Sequence, residues 1–215
     1  MRSTTHPSGP ALLPRPAPLR SGPELLRGHP VHRRSSVVVD GQRLELRPVV
    51  PSDLDGIDRF VRGLSPRSRF LRFHAAVRRL SSGQLAGLVD VDHHDRETVV
   101  VRDTSGAVVA LGQYAGVGRG VAELGLAVAD DWHRRGLATR VVAWLADAAR
   151  EEGFRAFTAS VLAENRAAIG LFDRWPGTVQ VERHGTAVEV LLCLDPYEAT
   201  ALPAAAAADA ASAPA

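Results

Sequence analysis

Read for the spacing of apolar and polar positions, the chain mixes short period-two runs with segments of helical period. Leu44-Glu45-Leu46-Arg47 alternates as a strand, and Pro48 confines it to an edge or an end. Leu54, Ile57, Phe60 and Val61 then recur at helical spacing behind Ser52 or Asp53, either of which can cap. Ser65-Pro66 opens a second helix through about Phe73, and Ser81-Ser82 a short third one through about Leu88. Thr98 to Arg102 and Ala107 to Tyr114 read as strands joined by the turn Asp103-Thr104-Ser105-Gly106. The apolar run Val121 to Ala129 carries one carboxylate, Glu123, and leads through a polar turn into a helix with Leu137, Val141, Leu145 and Ala148 on one face. That helix ends near Glu152-Gly153, where glycine can stop it. Phe154 to Leu162 supplies a strand and Asn165 to Arg174 a helix. Val179 to Arg183 and Ala187 to Leu194 close the pattern as a hairpin around His184-Gly185. Helices interrupting a largely antiparallel set predict a mixed α/β sandwich.

The ends lack this patterning. Residues 1–36 are broken by seven prolines, at 7, 10, 14, 16, 18, 23 and 30, and bury no contiguous apolar face; they read as a disordered tail. Residues 198–215 are mostly alanine with nothing large to bury, and read the same way. One domain is therefore expected over 37–197 of the 215 residues. No apolar run reaches the roughly 18 residues of a membrane span, nor the h-region of a signal peptide, so a cytoplasmic location and no membrane partner are expected. The single cysteine, Cys193, excludes an internal disulfide framework and sits in an alternating strand context as a core thiol. All 26 basic residues are arginine, and the net charge is +2. The arginines of the N-terminal tail could touch polyanions nonspecifically, but no specific nucleic-acid partner is expected.

The richest chemistry lies in Val121–Ala149. A helix start leaves main-chain N–H groups unpaired and carries partial positive charge, which suits a phosphate. Gly136 and Ala138 add no bulk there, and Arg134 and Arg135 add fixed charge. The loop lacks the glycine spacing of a dinucleotide fold, and a chain without lysine has no Walker motif. Asp90, Asp92, His93, His94 and Asp95 are adjacent in sequence, but consecutive residues rarely converge on one ion, so no metal site is assigned.

His133-Arg134-Arg135-Gly136-Leu137-Ala138 resembles the (Gln/Arg)-x-x-Gly-x-(Gly/Ala) signature of GNAT-type N-acetyltransferases. Glu164 to Phe172 resembles that family's second cofactor element, an Asn opening a helix. Leu46 to Phe73 and the following Ser81 to Val101 resemble the front half of bacterial Pat-like protein lysine acetyltransferases. The resemblance implies a GNAT-type fold, a mixed and largely antiparallel sheet flanked by helices. It implies acetyl-CoA as acyl donor and a primary amine as acceptor, most closely protein lysine ε-amines. Its site residues map here to Glu123 as general base and to main-chain groups near Leu126, Ala127 and Val128. Diphosphate binding maps to His133, Arg134, Arg135, Gly136, Leu137, Ala138 and Thr139, with Asn165 beside coenzyme A.

Plainer roles stand beside these. Glu123 could be a solvent-facing or ion-paired strand residue, Asn165 an ordinary helix cap, and His133 a loop histidine without duty. Phe172 departs from the family pattern, where tyrosine is frequent, and cannot donate a proton. Two other functions remain open on these residues: acetylation of a small amine such as an antibiotic or polyamine, and a non-catalytic regulator that binds acyl-CoA.

Overall fold

The computed structural model describes residues 34–195. β1 (Ser35–Val39) and β2 (Gln42–Pro48) form a hairpin turned by Asp40-Gly41, both at positive φ (49° and 77°) as a type I′ turn requires. Ser35 and Ser36 stand opposite Leu46 and Glu45, so the first strand starts ahead of the boundary expected at residue 37. Their side chains are exposed, but both residues stand in register with β2. Residues 1–33 and 198–215 of the two expected tails lie outside the described residues.

After β2 come α1 (Leu54–Gly63), α2 (Pro66–Phe73) and α3 (Ser82–Val89). β3 (Arg96–Arg102), β4 (Val108–Gly118) and β5 (Val121–Val128) follow, then α4 (Leu137–Glu151), β6 (Ala156–Leu162), α5 (Arg166–Phe172), β7 (Val179–His184) and β8 (Ala187–Cys193). The eight strands make one sheet in the order β1-β2-β3-β4-β5-β6-β8-β7. Every neighbouring pair is antiparallel except β5–β6, which the α4 crossover makes parallel. This is the expected fold class.

Each sheet face has its own core. Leu137, Val141 and Leu145 of α4 and Phe172 of α5 pack with Leu124, Phe157, Val190 and Leu192 on one face. Ile57, Phe60, Phe73, Leu85 and Leu88 from α1–α3 pack with Val49, Val100 and Leu111 on the other. Gly112 brings α4 close, since a Cβ there would stand 2.5 Å from Val141 Cγ1 and 2.9 Å from Leu145 Cδ1. Ser65 caps α2 and Ser81 caps α3, the latter in a reciprocal box with Gln84. Of the two candidate caps, Asp53 takes the N-cap position of α1 but makes no side-chain cap bond to it. Its buried carboxylate takes both Arg47 terminal nitrogens, at 2.6 and 2.7 Å, and the Val50 N–H. Cys193 is the buried thiol expected. Among the described residues no helix is long and apolar enough to cross a membrane.

Candidate active site

The parallel pair β5–β6 comes apart early. Its register runs from Val121↔Ala156 to Glu123↔Thr158 and stops, although both strands continue. A gap therefore opens beyond Glu123, at the carboxyl ends of both strands, where open sheets place ligands. The Ala129 N–H donates to Val109 O at 2.9 Å, which sets the alternation along β5. Ala127, two residues back, likewise turns its main chain to β4, opposite Leu111. Leu126 and Val128 turn theirs into the gap. Of the three residues expected to offer main-chain groups there, Ala127 is the one whose main chain pairs with β4.

α4 begins at the mouth of this gap. Gly136 is its N-cap at φ 76°, and Arg134 is also left-handed, at φ 59°. A Cβ on Gly136 would meet nothing within 4 Å, so glycine answers a backbone requirement there rather than a steric one. The N–H groups of residues 134–139 make no hydrogen bond among the described residues, and no side chain caps the helix. Leu137 is buried under α4 while its neighbours are open to solvent. These six donors at a helix start form an anion cradle.

Two side chains of this loop are engaged within the protein. His133 Nε2 lies 2.9 Å from Val128 O. A carbonyl only accepts, so Nε2 carries the proton and the ring braces the end of β5 instead of facing the cradle. Arg135 sits over the Trp132 ring, 5.3 Å from its centroid, and pairs with Asp40 Oδ2 at 3.3 Å. Part of its charge is thereby drawn to the β1–β2 turn. Arg134 is exposed and makes no ion pair among the described residues.

Glu123 faces the other way from α4. Ala122 and Leu124 belong to the α4-side core, so alternation puts Glu123, Gly125 and Ala127 on the α2 face. By the same logic Thr158 and Ser160 of β6 and Glu189 of β8 share that face, because Phe157, Ala159, Val188 and Val190 are buried on the opposite one. Arg72 and His74 approach from the end of α2. Burial raises the Glu123 carboxyl above the ordinary glutamate range; the Arg72 charge pulls against that shift and Glu189 adds to it. Burial lowers the His74 imidazole, as does Arg72, while Glu189 opposes them. A half-buried carboxylate with raised proton affinity beside an opening in the sheet is better placed to take up a proton than an ordinary glutamate.

Asn165 follows β6, as the cradle follows β5, so it flanks the same mouth. Its Oδ1 accepts from the Ala168 N–H at 3.2 Å, which is the cap; the other amide atom is not used by that bond. Phe172 is buried in the α4-side core. The Asp90–Asp95 loop is spent on internal pairs: His93 with Glu97 at 2.9 Å, and His94 with Glu152. Among the described residues no three His, Cys, Asp or Glu side chains gather as metal ligands. Trp132 and Trp175 pack on the core. Sequence reasoning passed over Arg72, His74, Glu189 and Asp130. A lone glycine in a strand, Gly125, is the signal that something approaches β5 closely.

Residues 66–177, over half of the chain, match the model of the Acetyltransferase (GNAT) family. The chain belongs to this family. It is 30% identical over 132 residues to the acetyltransferase PA5475 of Pseudomonas aeruginosa, covering 60% of this chain and 71% of that protein. It is 30% identical over 140 residues to the acetyltransferase Pat of Mycolicibacterium smegmatis, covering 62% of this chain but only 41% of that protein. Among solved structures, the GNAT domain of S. lividans PAT superposes with a TM-score of 0.72 at 27% identity, over 77% of this chain and 99% of that one. As a GNAT acetyltransferase the protein takes its acetyl group from acetyl-CoA.

Proposed function

We propose that the protein acetylates lysine ε-amines of other proteins, by direct attack of the amine on the thioester of acetyl-CoA with Glu123 as general base. The observation that carries this reading is Glu123 itself: a half-buried carboxylate of raised proton affinity at the point where β5 and β6 part. The unpaired N–H groups of residues 134–139 fit a diphosphate, the main chain of Leu126 and the N–H of Val128 fit the pantetheine arm, and the Asn165 amide lies on the far side of the mouth.

A free lysine amine and an ordinary glutamate differ by about six pKa units, or about 8 kcal/mol for direct proton transfer. Burial of Glu123 shrinks that difference from one side, and desolvation of the entering amine shrinks it from the other. The amine nitrogen bonds to the acetyl carbon, its proton passes to Glu123, and the carbon–sulfur bond breaks. Phe172 donates nothing, so sulfur leaves as a thiolate; a thiol near about pKa 8.5 is acidic enough to do so and take its proton from water. Lysine acceptors are supported by the Pat-like front half and by likeness to the S. lividans PAT domain. A second reading, a polyamine acceptor, draws on Glu189, whose carboxylate shares the open face with Glu123 and would suit a second cation.

The test compares wild type with Glu123→Gln, in coenzyme A binding by calorimetry and in acetylation of lysine-containing proteins and of spermidine. Retained binding with turnover lower by about 10²–10⁴-fold is expected. Equal turnover in both proteins would remove Glu123 from the mechanism. Spermidine as the sole acceptor would favour the second reading, and binding without turnover in wild type a regulator.

A further inference from the structure

The Arg72 guanidinium has an unusual setting. It leaves the last turn of α2 and crosses β5 at Gly125, where a Cβ would lie 2.9 Å from Cζ and 3.3 Å from Nη1. Only glycine gives it that room. Cζ stands 5.3 Å from the centroid of the Phe73 ring, which is buried in the α1–α3 core. The opposite end of α2 is tied down by Asp130, through Ser65 and Ser68. Held between a core aromatic and a strand, the guanidinium makes no hydrogen bond or ion pair among the described residues. Arg72 is half-buried, and an apolar side chain would fill this place without the cost of partly withdrawing a charge from water. The charge therefore calls for a role.

Gly125 is the next residue after Glu123 on the same strand face, about 7 Å along the chain. We propose that Arg72 is a positioning residue for the general base: laid across Gly125, on the same strand face as Glu123, its guanidinium supplies the fixed positive charge that favours the ionised carboxylate at the opening between β5 and β6. The inference rests on Glu123 as base. The groups facing Glu123 are Arg72 and His74 from α2, Glu189 from β8, and the uncharged Thr158 and Ser160 from β6. Burial and Glu189 both favour the protonated carboxyl, and Arg72 is the charge that opposes them. Burial lowers the Arg72 guanidinium and Glu123 raises it in return, yet guanidinium stays charged at any working pH, so its influence does not titrate away.

The experiment is a ¹³C-carboxyl titration of Glu123 in the full unliganded chain, for wild type, Arg72→Met and Arg72→Lys, beside pH profiles of kcat/KM. Arg72→Met is expected to raise the Glu123 midpoint by about 1 unit or more, and Arg72→Lys to restore most of it. The acid limb of kcat/KM should move by the same amount, with the KM for acetyl-CoA unchanged. If Arg72→Met does not fold, Gly125→Ala displaces the guanidinium while keeping the charge in the chain, and the same upward shift is expected. A folded variant with an unmoved midpoint overturns the proposal, as does a shift that lysine fails to reverse. A midpoint that moves while the acid limb stays supports the Arg72–Glu123 coupling and sinks Glu123 as base.

Discussion

The main-chain N–H of Ser65 donates to Asp130 Oδ2 at 2.8 Å, and the Ser65 hydroxyl donates to Oδ1 of the same carboxylate at 2.8 Å. Ser68 adds its hydroxyl at 2.6 Å. Asp130 stands just after β5, in the turn that leads to the anion cradle, whereas Ser65 starts the helix that ends in Arg72 and His74. One carboxylate thus joins the loop before α4 to the face that carries Glu123. Burial draws Asp130 upward, but the Ser68 and Ser65 bonds and the His133 charge together carry it below the ordinary aspartate range.

Replacing Asp130 with Ala should therefore loosen α2 before anything else. The group is exposed, so the loss of global stability should be on the order of 1 kcal/mol, read from urea denaturation. Hydrogen exchange in α2 should accelerate more than in α4. Because the folded-state carboxyl sits low, its contribution is present above the unfolded aspartate value near about pH 4 and fades as pH falls below it.

Glu123→Gln should melt higher than wild type at neutral pH. A carboxyl raised by burial binds its proton more tightly folded than unfolded, so ionising it costs stability as pH climbs through the folded value. Glutamine removes that cost. Thermal melts should show the gain at pH 7–8 and its disappearance below about pH 4, where wild type is protonated in both states. A lower melting temperature for the variant at pH 8 would contradict the buried setting.

Two glycines should respond differently to alanine. Gly112→Ala drives a methyl into Val141 and Leu145 and should cost about 1–3 kcal/mol while shifting α4, whose start is the cradle. Gly136→Ala meets open space and bears only the strain of a positive φ, about 1 kcal/mol. Calorimetric melts and coenzyme A affinity measured on both variants separate the two effects.

Asp53 tests the β2–α1 corner. Its side chain is 4% exposed and that of Arg47 7%, so Asp53→Ala strands a buried guanidinium. A loss of about 3–5 kcal/mol in chemical denaturation is expected. Burial pushes Asp53 up, but the Arg47 bond, the Val50 N–H and the charges of Arg47 and Arg102 together hold it below the ordinary range. This pair should therefore weaken as pH drops below about 4.

The β5–loop–α4 unit was legible in the sequence because its signals are local: alternation, a polar turn and a helix start within one stretch. β1 escaped notice because Ser35, Ser36 and the exposed Val38 give no core-facing alternation; the Asp40-Gly41 turn between Val39 and Leu44 was its only mark. The directions of His133 and of the Ala127 main chain depend on which carbonyl lies within reach and on strand phase, which letters do not carry. The face around Glu123 was hidden for another reason. Arg72, Glu123 and Glu189 come from three elements more than fifty residues apart, and only the sheet order and the α2 docking bring them together.

Amide resonances offer the most direct check on acetyl-CoA lodging at the divided strands. In a ¹⁵N-labelled sample titrated with coenzyme A, the signals of residues 134–139, Leu126 and Val128 should shift together and saturate at one affinity, while β1 and β7 stay still. Saturable binding that leaves 134–139 unmoved would contradict the account.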